Sequence, residues 1–124
     1  MRFSIAARLK SFTHAFEGLA VMLRTQHNAW LHLIASVAVV VAGLVFKVSA
    51  DDWRWLIAAM ALVWAAETVN TAFEHLCDVV SPEFHPSVKR AKDIAAAAVL
   101  VCAIAAVLLG AITFAPYVLH WRAS

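Results

Sequence analysis

The chain has 124 residues, 64% of them hydrophobic and 15% charged, with a net charge of +2 and a mean hydropathy of +0.80. A soluble domain runs at about half apolar and a quarter charged, so this composition excludes an ordinary water-soluble enzyme. The small net charge offers no basic surface for nucleic acid, and two cysteines do not make a disulfide framework or a thiolate zinc site.

The first element expected is a helix over residues 3–27. Ile5, Leu9, Phe12, Phe16, Leu19 and Leu23 recur at spacings of four and three, with Arg8, Lys10, His14, Glu17 and Arg24 off that stripe. This pattern predicts an amphipathic helix lying on a membrane surface. The charges at Arg8, Lys10 and Glu17 break up the apolar core a secretory signal needs, so the segment is expected to be retained.

Three longer apolar segments follow, each within reach of the ~20 residues a spanning helix requires. The first span is expected over 29–47, where the run from Ala29 to Phe46 is interrupted only by His32. A second, over 53–80, is uncharged from Trp55 to Ala66 and then admits Glu67, Glu74 and Asp78. The third, over 89–119, carries no formal charge from Ile94 to Leu119. Trp30, Trp53, Trp55 and Trp121 sit near span ends as interfacial anchors, while Trp64 lies deeper as packing. The expected fold class is all-α, as a single membrane domain over 1–124.

Basic residues set the orientation. Arg2, Arg8, Lys10 and Arg24 precede the first span and Lys89, Arg90 and Lys92 lie between the second and third. Lys47, Arg54 and Arg122 fall on the other side. The excess predicts a multi-pass protein with the N-terminus and the second loop in the cytoplasm.

The chemistry concentrates on the second span. On a helix advancing about 100° per residue, Glu67, Asn70, Glu74 and Asp78 share an arc of about 80°, bordered by Thr71. Each charged group in a bilayer costs roughly 2.5 to 3.5 kcal/mol on insertion scales, so such a face needs partners or a task. Beyond it come Ser81-Pro82-Glu83-Phe84-His85-Pro86, a breaker-rich turn, and the basic Lys89-Arg90-Ala91-Lys92-Asp93. Carboxylates, an amide and ammonium groups at one membrane boundary suit a divalent cation and a polyphosphate. Gly18, Gly43 and Gly110 are scattered and form no phosphate-binding loop. His32 and His75 have no partners at metal-ligand spacing and read as packing or interfacial residues. By itself the acidic arc also fits polar glue between helices, or an ion or proton path in a small channel or transporter subunit.

The ordered motifs narrow this. Glu67-x-x-Asn70-Thr71-Ala72-x-Glu74-x-x-x-Asp78, then the Ser81 to Pro86 turn, then Ala91-Lys92-Asp93-Ile94 with its alanine run resemble the small prokaryotic diacylglycerol kinase and undecaprenol kinase family of membrane lipid kinases. The resemblance extends from Arg8-x-x-Ser11-Phe12-x-x-Ala15-x-x-Gly18 through Asn28-Ala29 and His32-Leu33. It implies a surface helix and three transmembrane helices in a homotrimer, with composite active sites between subunits, moving the γ-phosphate of MgATP onto the hydroxyl of a membrane lipid. By motif, Glu67 resembles the catalytic base and Glu74 a metal ligand that also approaches the nucleotide. Glu83, Phe84, His85, Lys92 and Asp93 resemble parts of the nucleotide site, with Arg8 and His14 contributing from the surface helix. Asn70 and Asp78 match supporting, hydrogen-bonding positions. The Ser81 to Pro86 turn looks closer to the undecaprenol branch than to the diacylglycerol branch.

Two residues depart from the family pattern. Gln26 stands where relatives usually carry glutamate as the second carboxylate ligand beside Glu74, and Trp30 where arginine is frequent. Gln26 keeps an oxygen ligand for Mg²⁺ and loses a negative charge, so a fall in metal affinity is expected, and a catalytically weakened family member is the alternative.

Overall fold

A computed structural model describes residues 3–123, with only the backbone of Arg122 and Ala123; Arg2 and the Arg122 side chain, which enter the orientation reading, lie outside the described residues. Among these residues the chain is all-helical: α1 (Ile5–Thr25), α2 (His27–Val45), α3 (Ala50–Val80) and α4 (Pro86–Ala123), with no strand. The last three are long and apolar enough to cross a membrane.

Local chemistry sets the ends. Ser4 caps α1 by accepting from the Ala7 N–H at 3.3 Å. The helix stops where Gln26 turns extended, and α2 starts at the next residue. The Trp30 indole N–H reaches back 2.8 Å to the Leu23 carbonyl, satisfying one of the acceptors a helix C-terminus leaves open. Trp30 is about half exposed and ties α2 to the end of α1.

The α2–α3 turn is a Schellman closure. Val48 N–H donates to the Gly43 carbonyl at 3.1 Å and Lys47 N–H to Leu44 at 3.3 Å, with Lys47 in the left-handed region at φ 52°. Ser49 then caps α3, accepting from the Asp52 N–H at 3.1 Å, and Asp51 and Asp52 complement the helix dipole. Gly43 is buried because the Trp53 ring lies on it; an added Cβ would stand 2.5 Å from the ring. At this end Phe46 packs among Phe114, Tyr117 and Trp121, and the Tyr117 hydroxyl donates to Asp52.

At the opposite end Pro86 opens α4, a position where its missing N–H costs nothing. His85 is the N-cap: its carbonyl takes the Lys89 N–H at 3.0 Å and its Nδ1 takes the Ser87 N–H at 3.1 Å. The helix continues through Pro116 to Ala123.

α3 is the axis of the bundle, packed chiefly on α4 and more lightly on α2 and α1. Its buried line is Leu56, Ala59, Val63, Glu67, Asn70 and Thr71, apolar at one end and polar at the other. The α1 stripe of Ile5, Leu9, Phe12 and Phe16 points away from the bundle, as do Ile94, Val107 and Ile112 of α4. In a bilayer such faces meet lipid or another chain.

Candidate active site

Glu67 is 2% exposed, midway along a membrane helix, and Asn70 and Thr71 are buried one turn further on. Glu67 Oε2, Asn70 Oδ1 and Thr71 Oγ1 find no hydrogen-bond partner among the described residues. Each unsatisfied buried polar group costs about 1 to 3 kcal/mol, more for a charged one. Three on adjacent turns of one face mark a place that the bundle itself leaves unfinished.

One side chain of another helix approaches that face. His32 Nε2 of α2 stands 3.3 Å from Glu67 Oε2, within ion-pair distance but off the line of a hydrogen bond. The imidazole is held edge-on by Trp64, with ring centroids 6.5 Å apart, and the Trp64 indole N–H donates to Ser36 Oγ at 2.8 Å. His32 packs, as expected from sequence, on Trp64, and in addition approaches the Glu67 carboxylate. The signal was its place as the sole interruption of the first apolar run, but which α3 residue it meets depends on helix register. Trp64 does pack, and its polar edge is used as well.

Toward the α3–α4 turn the charges pair. Lys92 Nζ lies 2.7 Å from Asp78 Oδ1, joining α4 to α3, and Lys89 Nζ is 2.7 Å from Asp93 Oδ2 one turn along. Glu74 is half-buried between Glu67 and this pair, and its charge acts on Lys92 alongside that of Asp78. Arg90 donates to Ser87 Oγ at 3.2 Å, and Ser81 Oγ donates to the Glu83 carbonyl at 3.0 Å, which fixes the turn. Glu83, Phe84 and His85 are exposed on it, Phe84 by 78%.

The remaining candidates lie on or beside α1. Arg8 stacks its guanidinium 5.8 Å from the Phe3 ring centroid and His14 Nδ1 lies 3.3 Å from Glu17, both exposed. Gln26 is half-buried at the α1–α2 break, without a capping hydrogen bond to α2. A cleft between α1 and α3, lined by Ala15, Gly18, Met22, Thr68, Thr71 and His75, leads from the α1 surface toward the polar face of α3. Within one chain the structure thus joins Glu67 with His32 and Asp78 with Lys92, while the described residues hold no cluster of three or more His, Cys, Asp or Glu suited to a metal.

Comparison with known proteins gives this arrangement a lineage. Residues 13–114 match the profile of the family described as prokaryotic diacylglycerol kinase. The chain is 36% identical over 107 residues to the undecaprenol kinase of Bacillus subtilis (strain 168), covering 86% of this chain and 87% of that one. It is 38% identical over 109 residues to a diacylglycerol kinase of Synechocystis, with 87% of this chain and 62% of the relative covered. A diacylglycerol kinase of Escherichia coli (strain K12) is 34% identical over 92 residues, 74% of this chain and 63% of that one. A family match over most of the chain, on a fold of three membrane-length helices with a buried carboxylate, settles the question of kinship: the chain belongs to the prokaryotic diacylglycerol kinase family of lipid kinases.

Proposed function

We propose that the protein is a kinase of the cell (inner) membrane that moves the γ-phosphate of ATP, with Mg²⁺, onto the hydroxyl of a membrane lipid, with undecaprenol favoured over diacylglycerol as acceptor. The observation that carries the reading is the buried, incompletely partnered Glu67 beside Asn70 and Thr71. The lean toward undecaprenol rests on the Ser81 to Pro86 turn, which looks closer to that branch, and the 36% identity to the Bacillus undecaprenol kinase is in keeping with it.

Phosphoryl transfer asks mostly for positioning and charge stabilisation. Glu67 accepts the proton of the lipid hydroxyl as that oxygen attacks the γ-phosphorus, and the bond to the β-phosphate oxygen breaks to release ADP. Glu67 lies eleven residues before Asp78, about 16 Å along the helix, so an acceptor reaches it with its tail still in the bilayer. Asn70 and Asp78 support the site, Asn70 from the buried face and Asp78 by holding Lys92.

Mg²⁺ takes few protein carboxylates and keeps substrate phosphates and waters as its other ligands. Glu74, half-buried on the same face, fits that mode with Gln26 as a neutral oxygen ligand, and no all-protein cage is required. The cation would neutralise charge on the phosphates. Lys92, Asp93, Glu83, Phe84 and His85 on the turn, with Arg8 and His14 of α1, form the nucleotide site. The working unit is a homotrimer with the N-terminus in the cytoplasm, in which the outward apolar faces of α2 and α4 meet neighbouring chains or lipid.

The test is transfer of labelled phosphate from ATP to undecaprenol or dioleoylglycerol in mixed micelles with Mg²⁺. Labelled undecaprenyl phosphate supports the reading. No labelled lipid from either acceptor would instead favour a weakened family member, and pH-dependent ion flux in liposomes without ATP a channel.

A further inference from the structure

We infer that His32 is a positioning residue for Glu67: it holds one carboxylate oxygen so that the other faces the lipid hydroxyl. The inference rests on the reading of Glu67 as the base and adds a residue from a different helix to it.

Four observations converge. Glu67 is 2% exposed, so water does not orient it. Neither Asn70 nor Thr71 of its own helix satisfies it, and both carry an unpartnered polar atom of their own. His32 Nε2 stands 3.3 Å from Oε2, on α2, the helix packed against this part of α3. Finally, one edge of the imidazole is backed by Trp64, which is itself hydrogen-bonded to Ser36 of α2. Ser36, Trp64, His32 and Glu67 thus alternate between α2 and α3.

The physical need is plain. The terminal carboxyl torsion of glutamate is broad, with no strong intrinsic preference to aim its lone pairs. A general base must place one oxygen about 2.6 to 3.2 Å from the proton it takes. The imidazole edge 3.3 Å from Oε2 limits that rotation by contact, and a small turn of either side chain brings an N–H onto the oxygen, the kind of tightening catalytic contacts undergo when substrate binds. Oε1 is then the oxygen left for the acceptor. His32 also lines the largely apolar cavity between α2, α3 and α4, among Ala35, Val39, Ala59 and Ala106, where the Ser36 hydroxyl already accepts from Trp64.

The experiment is a double-mutant cycle on the purified full chain in mixed micelles, with ATP, Mg²⁺ and undecaprenol or dioleoylglycerol in parallel, and thermal unfolding recorded for every variant. His32→Ala should lower kcat ~10- to 100-fold, the scale of a misplaced catalytic group, with the KM values for ATP and lipid within about twofold. His32→Gln, which keeps an amide donor at similar reach, should recover most of that loss. In the Glu67→Gln background, His32→Ala should cost nothing further, because the group it positions is gone.

A His32→Ala loss that persists undiminished on Glu67→Gln, or an equal loss in His32→Gln, overturns the inference and leaves His32 a structural residue. Normal turnover in His32→Ala with a strong defect in Glu67→Gln also overturns it, while leaving the base in place. Near-normal turnover in Glu67→Gln instead removes the underlying reading.

Discussion

At the scale of the residue, helical period made the polar face of α3 legible, because Glu67, Asn70, Glu74 and Asp78, bordered by Thr71, lie on one side of any regular helix through them. Of that face Glu67, Asn70 and Thr71 are buried, Glu74 is half-buried and Asp78, near the helix end, is exposed. The partner of Glu67 was not legible, because His32 meets it only through the register of α2 on α3. Trp30 was half-read: its place near a span end was evident, whereas its hydrogen bond to Leu23 depends on the single-residue break at Gln26. That break is also where the proposed metal site is weakest. If Gln26 supplies a neutral oxygen to Mg²⁺ beside Glu74, Gln26→Glu should move half-maximal activity to lower Mg²⁺, since an added anionic oxygen strengthens attraction to a hard cation. The lipid KM should stay nearly constant. A metal titration that does not move would separate Gln26 from the cation.

Among the elements, the helices follow the apolar runs, while their ends follow local chemistry that periodicity does not carry. α2 begins at His27, ahead of the expected 29, since one extended residue is enough to separate it from α1. α4 begins at Pro86 rather than 89, with His85 as its cap, because proline at the first helical position is pre-set for the helix. It also runs past 119, since Pro116 is accommodated within the helix. The join between α2 and α3 is tightest at Gly43, where the Trp53 ring occupies the space of a side chain. Gly43→Ala should therefore destabilise the fold by about 1 to 3 kcal/mol through overpacking, despite the better helix propensity of alanine. A lowered unfolding temperature in micelles, restored in part by Gly43→Ala with Trp53→Leu, is the expected reading. Unchanged or raised stability would show that Trp53 moves aside at little cost. The Lys92 to Asp78 pair calls for the opposite expectation: both partners keep substantial exposure, so it steers the turn more than it stabilises it.

For the molecule as a whole, the outward display of large apolar side chains on α1, α2 and α4 is the reverse of a soluble fold and defines where lipid or neighbouring chains lie. Composition alone made this legible. Orientation rests on the basic residues, and it has its own check: with Cys77 and Cys102 replaced, Ser87→Cys should react with an impermeant thiol reagent only in opened cells and Ser124→Cys from outside. The reverse pattern would put the proposed nucleotide site on the wrong side of the membrane. The central claim, that a buried carboxylate in the membrane activates a lipid hydroxyl, is tested most directly by phosphate transfer from labelled ATP in the Glu67→Gln variant. With the fold and assembly of the native protein retained, its kcat should fall by a factor of ~10² to 10⁴, the range for removal of an acid or base group. Turnover near that of the native protein would contradict the account.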